Sequence, residues 1–431
     1  MRQAFLAIAL LLALPSTARA DVDQDYVMAD TADLRASQIE YVLKGDMAAE
    51  EVFSPSFLAE IPAAQLQSLA ASLVAQNGRI VGVDRVEYKG NGAAVFDLMF
   101  EHGQGDASLQ LAAEEPHLVS GFRISSVVPT DDTPQKILAD FAALPGTAGF
   151  GVWRLTDEGL SPVLASKADV SLAIGSTFKL YVLSALVQQI KAGKRHWSDV
   201  VTLDARSVPS GQMQDWPKDA PVTLHTLATM MISISDNTAT DTLMRLLGRD
   251  AIAREVIASG HSDPSRTLPM LTTIELFALK AGDPARIAAY AAADDAGQRN
   301  LLDQWAPDLA RERVDLGKLI GSAPNAIDSV EWFASAEDVA RILRRLRDTG
   351  DPAVLEILAV NPSVSQQEGA HWAYAGYKGG SEPGVLNLSW LLKDKEGHWF
   401  VISASWNDPA KDVDPGKLQL LAVRLFRMLR R

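Results

Sequence analysis

The sequence predicts an α+β protein of two domains, a small one followed by a larger one. Three observations support this class. The spacing of apolar residues changes from a helical to a strand period near residue 79, and strand-like runs return near residue 371 after a long helical stretch. A polar linker with two prolines, VVPTDDTPQK, separates the first sheet-forming region from the rest of the chain. At 431 residues, the chain exceeds what one hydrophobic core usually accommodates.

The first 20 residues have the composition of a secretory signal. Arg2 precedes the uncharged run AFLAIALLLAL, and Ala18-Arg19-Ala20 matches an A-x-A cleavage site. This run is too short to span a bilayer, which takes about 20 apolar residues, and no second run follows. We therefore expect a signal peptide at 1–20 and a secreted, periplasmic protein with no integral membrane segment after cleavage; a retained anchor is the alternative.

Residues 21–130 are predicted to form the small domain. Apolar residues recur at helical spacing over 31–44 and again over 63–76. Four β-rich runs follow, separated by turns that contain Gly and Asn: RIVGVDRVEYKG, GAAVFDLMFEHG, ASLQLAAEE and LVSGFRISSV. Two helices and four antiparallel strands of this length predict a small α+β domain, with the sheet curled over its helices.

Residues 131–431 are predicted to form the larger domain. Thr133-Pro134 is typical of an N-cap followed by proline at the first helical position, and opens a helix through Leu144. A helical block extends from Ser176 to about Gly350. Five strand-like runs surround it, and the amphipathic segment KLQLLAVRLFRMLRR closes the chain. This order predicts a five-stranded antiparallel sheet, with the terminal helices on one face and the block on the other.

Composition excludes several function classes. The net charge of −14 and the lack of a basic stripe argue against a nucleic-acid partner. The chain contains no cysteine, which excludes disulfides, thiolate metal sites and a cysteine nucleophile. Its seven histidines show no metal-ligand spacing. The sequence therefore predicts no metal and no other cofactor.

A serine–lysine pair opens the helical block, in the stretch GSTFKLYVLSAL. Residues three apart lie on the same face of a helix, so the Lys179 amine can reach the Ser176 hydroxyl. A lysine whose pKa is lowered by burial or by nearby cations can take the serine proton, and the helix N-terminus can stabilise an oxyanion. The alternative is a helix cap at Ser176 or Thr177 with a solvated lysine.

A second polar group, Ser235-Asp236-Asn237, falls between an apolar helix-like run and the start of the next helix. Functionally, Ser235 Oγ would pass a proton between Lys179 and the leaving group. Asn237 would hydrogen-bond a substrate amide, and Asp236 would point inward and fix the turn. The alternative is a helix N-cap with no further role.

A third group, Lys378-Gly379-Gly380-Ser381, lies on a strand-like run just before a turn. Lys378 would supply positive charge for a substrate carboxylate and would lower the pKa of Lys179. The two glycines would let a substrate lie against the strand edge, and the Ser381 backbone N–H would serve as an oxyanion donor.

These three motifs, in this order, resemble class A β-lactamases and penicillin-binding proteins over residues 131–431. The resemblance implies that Ser176 is the nucleophile, Lys179 its base and Ser235 the proton shuttle. It also implies that Lys378 is the partner lysine on the strand. The backbone N–H groups of Ser176 and Ser381 would form the oxyanion hole. No G-x-S-x-G elbow is present, so the α/β-hydrolase fold is not supported.

The sequence departs from class A enzymes at three points. Their deacylating glutamate lies in an E-x-x-L-N loop, but no glutamate between the second and third motifs here is followed by an asparagine at that spacing. Glu275 is the nearest candidate base, although Thr272-x-x-Glu275 is also a capping box. Gly379 replaces the usual Thr or Ser. An added helical segment around 280–330 lengthens the interval between the motifs.

The small domain resembles a cone-shaped domain of the ketosteroid-isomerase or polyketide-cyclase type through FSPSFLAEIPAAQLQSLAASL and the curled strands after it. Together the two domains resemble the two-domain β-lactamase-fold serine hydrolases of clavulanic acid biosynthesis, with which PMLTTIELFALK also agrees. These features predict a serine acyl hydrolase, weak as a β-lactamase, for a β-lactam, ester or peptide carbonyl in a small-molecule or peptidoglycan-type substrate. The alternatives are a peptidoglycan D,D-peptidase and a non-catalytic penicillin-binding or sensing protein.

Overall fold

The computed structural model describes residues 17–203, 206–310, 315 and 323–430. The chain divides into two compact units, Met1–Asp132 and Thr133–Arg431. The predicted signal peptide lies almost entirely outside the described residues. Within the described part of the chain, no helix is long and apolar enough to cross a membrane.

The described residues of the first unit form three α-helices and a four-stranded antiparallel sheet in the order β1-β2-β3-β4. Its elements are α1 (Thr17–Lys44), α2 (Pro55–Glu60), α3 (Ala63–Asn77), β1 (Ile80–Gly90), β2 (Ala93–Phe100), β3 (Gly103–Leu111) and β4 (Val119–Pro129).

Core-facing residues recur at every second position along β2, which packs one face of the sheet against its helices. Ala94, Phe96, Leu98 and Phe100 are buried at every second position and join one core cluster with residues of α1 such as Ile39. The predicted small α+β domain is confirmed at this level. Its likeness to ketosteroid isomerase stays a prediction.

The second unit is built on a five-stranded antiparallel sheet in the order β11-β12-β13-β5-β6. Two pairs of short strands accompany it, β7 with β10 and β8 with β9. The strands are β5 (Thr147–Leu155), β6 (Leu160–Ser166), β7 (Leu172–Ala173), β8 (Val200–Thr202), β9 (Pro221–Thr223), β10 (Phe333–Ala334), β11 (Tyr374–Glu382), β12 (Val385–Lys393) and β13 (Trp399–Asn407).

Helices lie before, between and after these strands. They are α4 (Pro134–Ala142), α5 (Lys179–Lys191), α6 (Leu224–Ser233), α7 (Asn237–Leu247), α8 (Arg249–Ala258), α9 (Thr273–Ala281), α10 (Pro284–Ala292), α11 (Asp295–Trp305), α12 (Ala336–Arg347), α13 (Pro352–Ala359), α14 (Gln366–Gly369) and α15 (Pro415–Leu429). The helices α10 and α11 correspond to the added segment expected around 280–330.

The sheet of the second unit is buried on both faces, because successive side chains of its strands point into two different cores. On one face, Leu391 and Val401 belong to the cluster of the helical block. On the other, Trp390 and Ile402 pack with residues of α4 and α15, including Phe426. The predicted arrangement, with terminal helices on one face and the block on the other, is confirmed.

Candidate active site

Ser176 lies in a short 3-10 turn, Gly175–Phe178, immediately before α5. Sequence spacing predicts a serine and lysine on one helix; the structure instead places the serine on the tighter turn and the lysine at the first position of α5. Ser176 is half-buried, and the Lys179 residue is completely buried. Phe178 stacks on Trp332 with ring centroids 3.9 Å apart, which fixes the turn against the helical block.

The Lys179 amine is held by three acceptors. It donates to the Ser235 carbonyl oxygen at 2.7 Å, to Ser235 Oγ at 3.0 Å and to Asn237 Oδ1 at 2.7 Å. Among the described residues, no hydrogen bond joins this amine to Ser176 Oγ. Burial, and secondly the positive charge of Lys378, hold the pKa of Lys179 well below its usual value.

Ser235 connects the two lysines of the site. Its hydroxyl oxygen lies 3.0 Å from Lys179 Nζ and 3.1 Å from Lys378 Nζ. The backbone at Ser235 has φ of +58°, a left-handed conformation that costs a non-glycine residue roughly 1–3 kcal/mol. Such strain persists where the surroundings fix it, and here it turns the hydroxyl towards both amines.

Asp236 fixes the turn between α6 and α7, as expected from the sequence. One carboxylate oxygen accepts from the Ala239 backbone N–H at 2.8 Å and so caps α7. The other accepts from the backbone N–H groups of Gln212 at 2.7 Å and Met213 at 2.8 Å. Asp236 is therefore a buried anchor for the Ser235 loop.

The Asn237 side chain is engaged within the protein at both ends. Its Oδ1 accepts from Lys179, and its Nδ2 donates to the Val208 carbonyl oxygen at 3.1 Å. This arrangement orients the Lys179 amine. The contact of Asn237 with a substrate amide stays a prediction.

Lys378 lies in the middle of β11, and its residue is 3% exposed. Its amine donates to Ser235 Oγ and to the Gly379 carbonyl oxygen. Burial lowers the pKa of Lys378 to about 7. Lys378 can therefore exchange its proton near neutral pH.

Two glycines allow the Ser176 turn to approach β11. A Cβ atom on Gly380 would overlap the Ile174 carbonyl oxygen and the Ser176 nitrogen, and one on Gly175 would lie 3.0 Å from the Ser381 nitrogen. The backbone nitrogens of Ser176 and Ser381 are thus on two segments in direct contact, as the predicted oxyanion hole requires.

We expect Gly380→Ala to impair any reaction at Ser176 strongly, because its Cβ would meet rigid backbone atoms. Gly379→Ala is the matched control. Its Cβ would meet mainly the Tyr377 hydroxyl, at the end of a side chain. Acylation rates and melting temperatures of the two variants check this. Equal losses in both would contradict the proposed role of the Gly380 contact.

A buried polar network beneath the turn was not predicted from the sequence. Thr177 Oγ1 donates to Asn387 Oδ1 on β12 at 2.8 Å, and Ser389 Oγ donates to the same oxygen at 2.8 Å. Asn387 Nδ2 in turn donates to Ser405 Oγ on β13 at 2.7 Å. A sequence signal for this network was available, because polar residues recur at alternate positions in strands that are otherwise apolar and buried on both faces.

Glu275 forms the capping box expected as the alternative to a catalytic role. Its backbone N–H donates to Thr272 Oγ1, and its Oε2 accepts from the Thr272 N–H at 2.8 Å. Its Oε1 accepts from Arg249 at 2.8 Å. No hydrogen bond links Glu275 to Ser176, Lys179 or Ser235 among the described residues, so its carboxylate is committed to the start of α9.

The model of the Beta-lactamase enzyme family matches residues 132–362, which is more than half of the chain. The chain belongs to this family. The match includes the Ser176 turn and the Ser235 loop, and it ends before β11. Membership identifies a serine hydrolase-like enzyme without specifying its substrate.

Several solved structures are similar to part of the chain. A beta-lactamase from Sphaerobacter thermophilus DSM 20745 is 20% identical, with 68% of this chain and 97% of that chain covered and a TM-score of 0.47. A class A beta-lactamase from Mycobacterium abscessus is 14% identical, with 69% and 98% covered and a TM-score of 0.47. PBP-A is 15% identical, with 69% and 95% covered and a TM-score of 0.47. No curated protein matches the chain significantly.

Proposed function

We propose that this chain is a serine acyl hydrolase that forms an acyl-enzyme at Ser176. One observation carries the proposal. The amine of Lys179 is completely buried, its pKa is lowered, and it shares the Ser235 hydroxyl with a second lysine just behind the Ser176 turn. A buried amine whose pKa is lowered is a more competent general base than a solvated lysine, because its deprotonated form is more populated.

The proposed reaction starts with attack of Ser176 Oγ on a carbonyl carbon. Lys179 takes the hydroxyl proton as the oxygen–carbon bond forms, and the N–H groups of Ser176 and Ser381 stabilise the oxyanion. The proton then passes from Lys179 through Ser235 to the leaving alkoxide or amine as its bond to the carbonyl carbon breaks. Water subsequently cleaves the acyl–serine ester and returns the proton to Ser176.

Neutral Lys179 donates only two hydrogen bonds and carries a lone pair. The amine can keep its bonds to the Ser235 carbonyl oxygen and to Asn237 Oδ1, which leaves its lone pair for the Ser176 hydroxyl proton. The three acceptors around Lys179 thus suit the ammonium, and two of them also suit the amine.

We expect the acylation rate to rise with pH, because the reactive form of Lys179 is the deprotonated one. The midpoint of this rise lies well below pH 10.5, since the pKa of Lys179 is lowered. Lys378→Met removes a positive charge that lowers this pKa, so the rise should move to higher pH. Stopped-flow labelling across pH measures the shift. The control Lys395→Met, at an exposed loop, should leave the midpoint unchanged.

A penicillin-binding protein with slow turnover is the second candidate function. The observation that favours it is the commitment of Glu275 to Thr272 and Arg249, which leaves it without a link to Ser176. We therefore expect a burst of acyl-enzyme followed by slow release. Periplasmic location and a small-molecule or peptidoglycan-type substrate remain part of this proposal.

The test is labelling by an activated ester and by a fluorescent penicillin, followed by mass spectrometry of the intact protein. Wild type should gain the mass of one acyl group, and Ser176→Ala should gain none. Ser381→Ala is a matched control in the same site, because its proposed role uses only the backbone N–H. A wild-type protein that gains no Ser176-dependent mass with either reagent would overturn the proposed function.

A further inference from the structure

A buried carboxyl group on α7, that of Asp241, takes no part in the reaction described so far. Asp241 is completely buried and follows Asn237 by four positions, so both side chains lie on the same face of α7. Asn237 is the residue whose Oδ1 accepts from Lys179 Nζ at 2.7 Å. The Asp241 carboxyl group therefore lies one helical turn from a direct partner of the proposed general base.

Four donors converge on this carboxyl group. Its Oδ1 accepts from the Thr273 N–H at 2.7 Å, and its Oδ2 accepts from the Ile274 N–H at 3.0 Å. Oδ2 also accepts from Ser207 Oγ at 2.6 Å and from Thr273 Oγ1 at 2.8 Å. Burial raises the pKa of Asp241, and these hydrogen bonds oppose that rise. Because both oxygens accept from backbone N–H groups as well as hydroxyls, the arrangement suits the ionised carboxylate.

Two of the donor residues belong to the start of α9. Thr273 and Ile274 are its first two residues, and N–H groups at this position have no acceptor within their own helix. A carboxylate there is also favoured by the helix dipole. The turn before α9 is fixed in addition by Trp332, whose Nε1 donates to the Leu271 carbonyl oxygen at 2.9 Å and whose ring stacks on the Ser176 turn. The carboxylate thus joins α7 to a segment that supports the Ser176 turn.

A further donor connects the carboxylate back to Asn237. Ser207 Oγ donates to Asp241, and the carbonyl oxygen of the next residue, Val208, accepts from Asn237 Nδ2 at 3.1 Å. Both of these hydrogen bonds are buried. Asp241 therefore holds the segment that orients the Asn237 amide, and this amide in turn holds the Lys179 amine.

The charge of the carboxylate also acts on Lys179. Among the described residues, the charged groups that shift the pKa of this lysine are Lys378 on β11, Asp236 before α7 and Asp241 on α7. Burial and Lys378 lower the pKa, whereas Asp241 and then Asp236 raise it. When the amine takes the Ser176 proton, a buried ammonium forms. A negative charge that is already fixed in place stabilises this ammonium without reorganisation during the reaction.

We propose that Asp241 is a positioning residue for acylation at Ser176, which stabilises the ammonium that forms on Lys179 during attack. It acts through its charge and through the segment 207–208, which orients Asn237. The inference rests on the proposed function and deepens it. The carboxylate takes no proton and forms no covalent bond, because the serine proton moves to Lys179 as described above.

Asp241→Asn tests this role on the full chain. The variant keeps the size of the side chain, loses its charge and leaves one backbone N–H without an acceptor. We expect the midpoint of the rise of acylation rate with pH to move down by at least about 0.5 pH unit, because Lys179 loses a group that raises its pKa. The rate above the midpoint should fall at least several-fold, because the ammonium is less stabilised. Stopped-flow labelling across pH measures both quantities, and the shift is opposite in sign to that expected for Lys378→Met.

Asp338→Asn is the matched control. Asp338 is also completely buried, and it accepts from the backbone N–H and hydroxyl groups of Ser262 and Ser335 in the first turn of α12. It is not among the groups that shift the pKa of Lys179. Both variants should lower the melting temperature, but only Asp241→Asn should move the midpoint. An unchanged midpoint in folded Asp241→Asn, or an equal shift in Asp338→Asn, would overturn the proposed role.

A second variant keeps the test decisive if Asp241→Asn does not fold. Ser207→Ala removes the hydrogen bond of 2.6 Å to the carboxylate but leaves its charge. Its midpoint should match that of wild type, and its rate above the midpoint should fall several-fold, because the segment that orients Asn237 is held less firmly. An unchanged rate would overturn the positioning role. Failure of the wild-type protein to label at Ser176 would instead overturn the proposed function, so the two failures are distinguishable.

Discussion

Replacing Lys179 by methionine is expected to lower the acylation rate of Ser176 by roughly 10³-fold, the usual contribution of a general base. Methionine keeps the length and apolar stem of the side chain but cannot accept the serine proton. The acceptors at Ser235 and Asn237 would lose their donor, which costs about 1–3 kcal/mol per buried group. The variant should therefore fold with a lower melting temperature and label very slowly.

Lys191→Met, at the exposed end of α5, is the matched control for Lys179→Met. Within the described part of the chain, its amine donates only to the Thr349 carbonyl oxygen. Intact-mass time courses at one pH compare the two variants. If Lys179→Met labelled within about tenfold of wild type, general-base catalysis by this lysine would be refuted.

Asp236→Ala should be the most destabilising of the loop substitutions, by about 3–5 kcal/mol. Asp236 is fully buried and accepts from three backbone N–H groups, two in the segment that begins at Gln212 and one at Ala239. Alanine removes the helix cap and leaves these donors without an acceptor. Because the same turn holds Ser235, labelling of Ser176 should also slow.

Asp294→Ala is the control for Asp236→Ala. Asp294 also caps a helix, α11, but it is exposed and accepts from the single backbone N–H of Gly297. Its loss should cost about 1 kcal/mol with no effect on labelling. Chemical denaturation of both variants provides the comparison. Similar losses of unfolding free energy would show that the three-donor arrangement at Asp236 contributes little.

Local signals were enough to predict much of the fold. The strands of the large sheet follow from short β-rich runs with clear turns, and Thr133 caps α4 with Pro134 at its first position as expected. The serine–lysine pair, the Ser235 loop and the Lys378 strand were each visible as short motifs in a fitting context. In the structure Lys179, Ser235 and Lys378 lie within hydrogen-bond distance, a detail that the three separate motifs do not determine.

Other features depend on contacts that no local pattern encodes. Thr177 meets Asn387 across 210 positions of sequence, and Lys280 meets Glu382 across 102. The position of Tyr377 over Gly379 depends on a side-chain rotamer, which strand spacing does not determine. Spacing alone also could not choose between the two roles of Glu275, whereas its hydrogen bonds show the capping box directly.

The site of acylation tests the central claim most directly. After brief reaction with a fluorescent penicillin or an activated ester, the protein would be quenched in acid, digested and mapped by tandem mass spectrometry. The account predicts one acyl group, on Ser176, with Ser235 and Ser381 unmodified. Stoichiometric acylation of another residue, with Ser176 free, would contradict it.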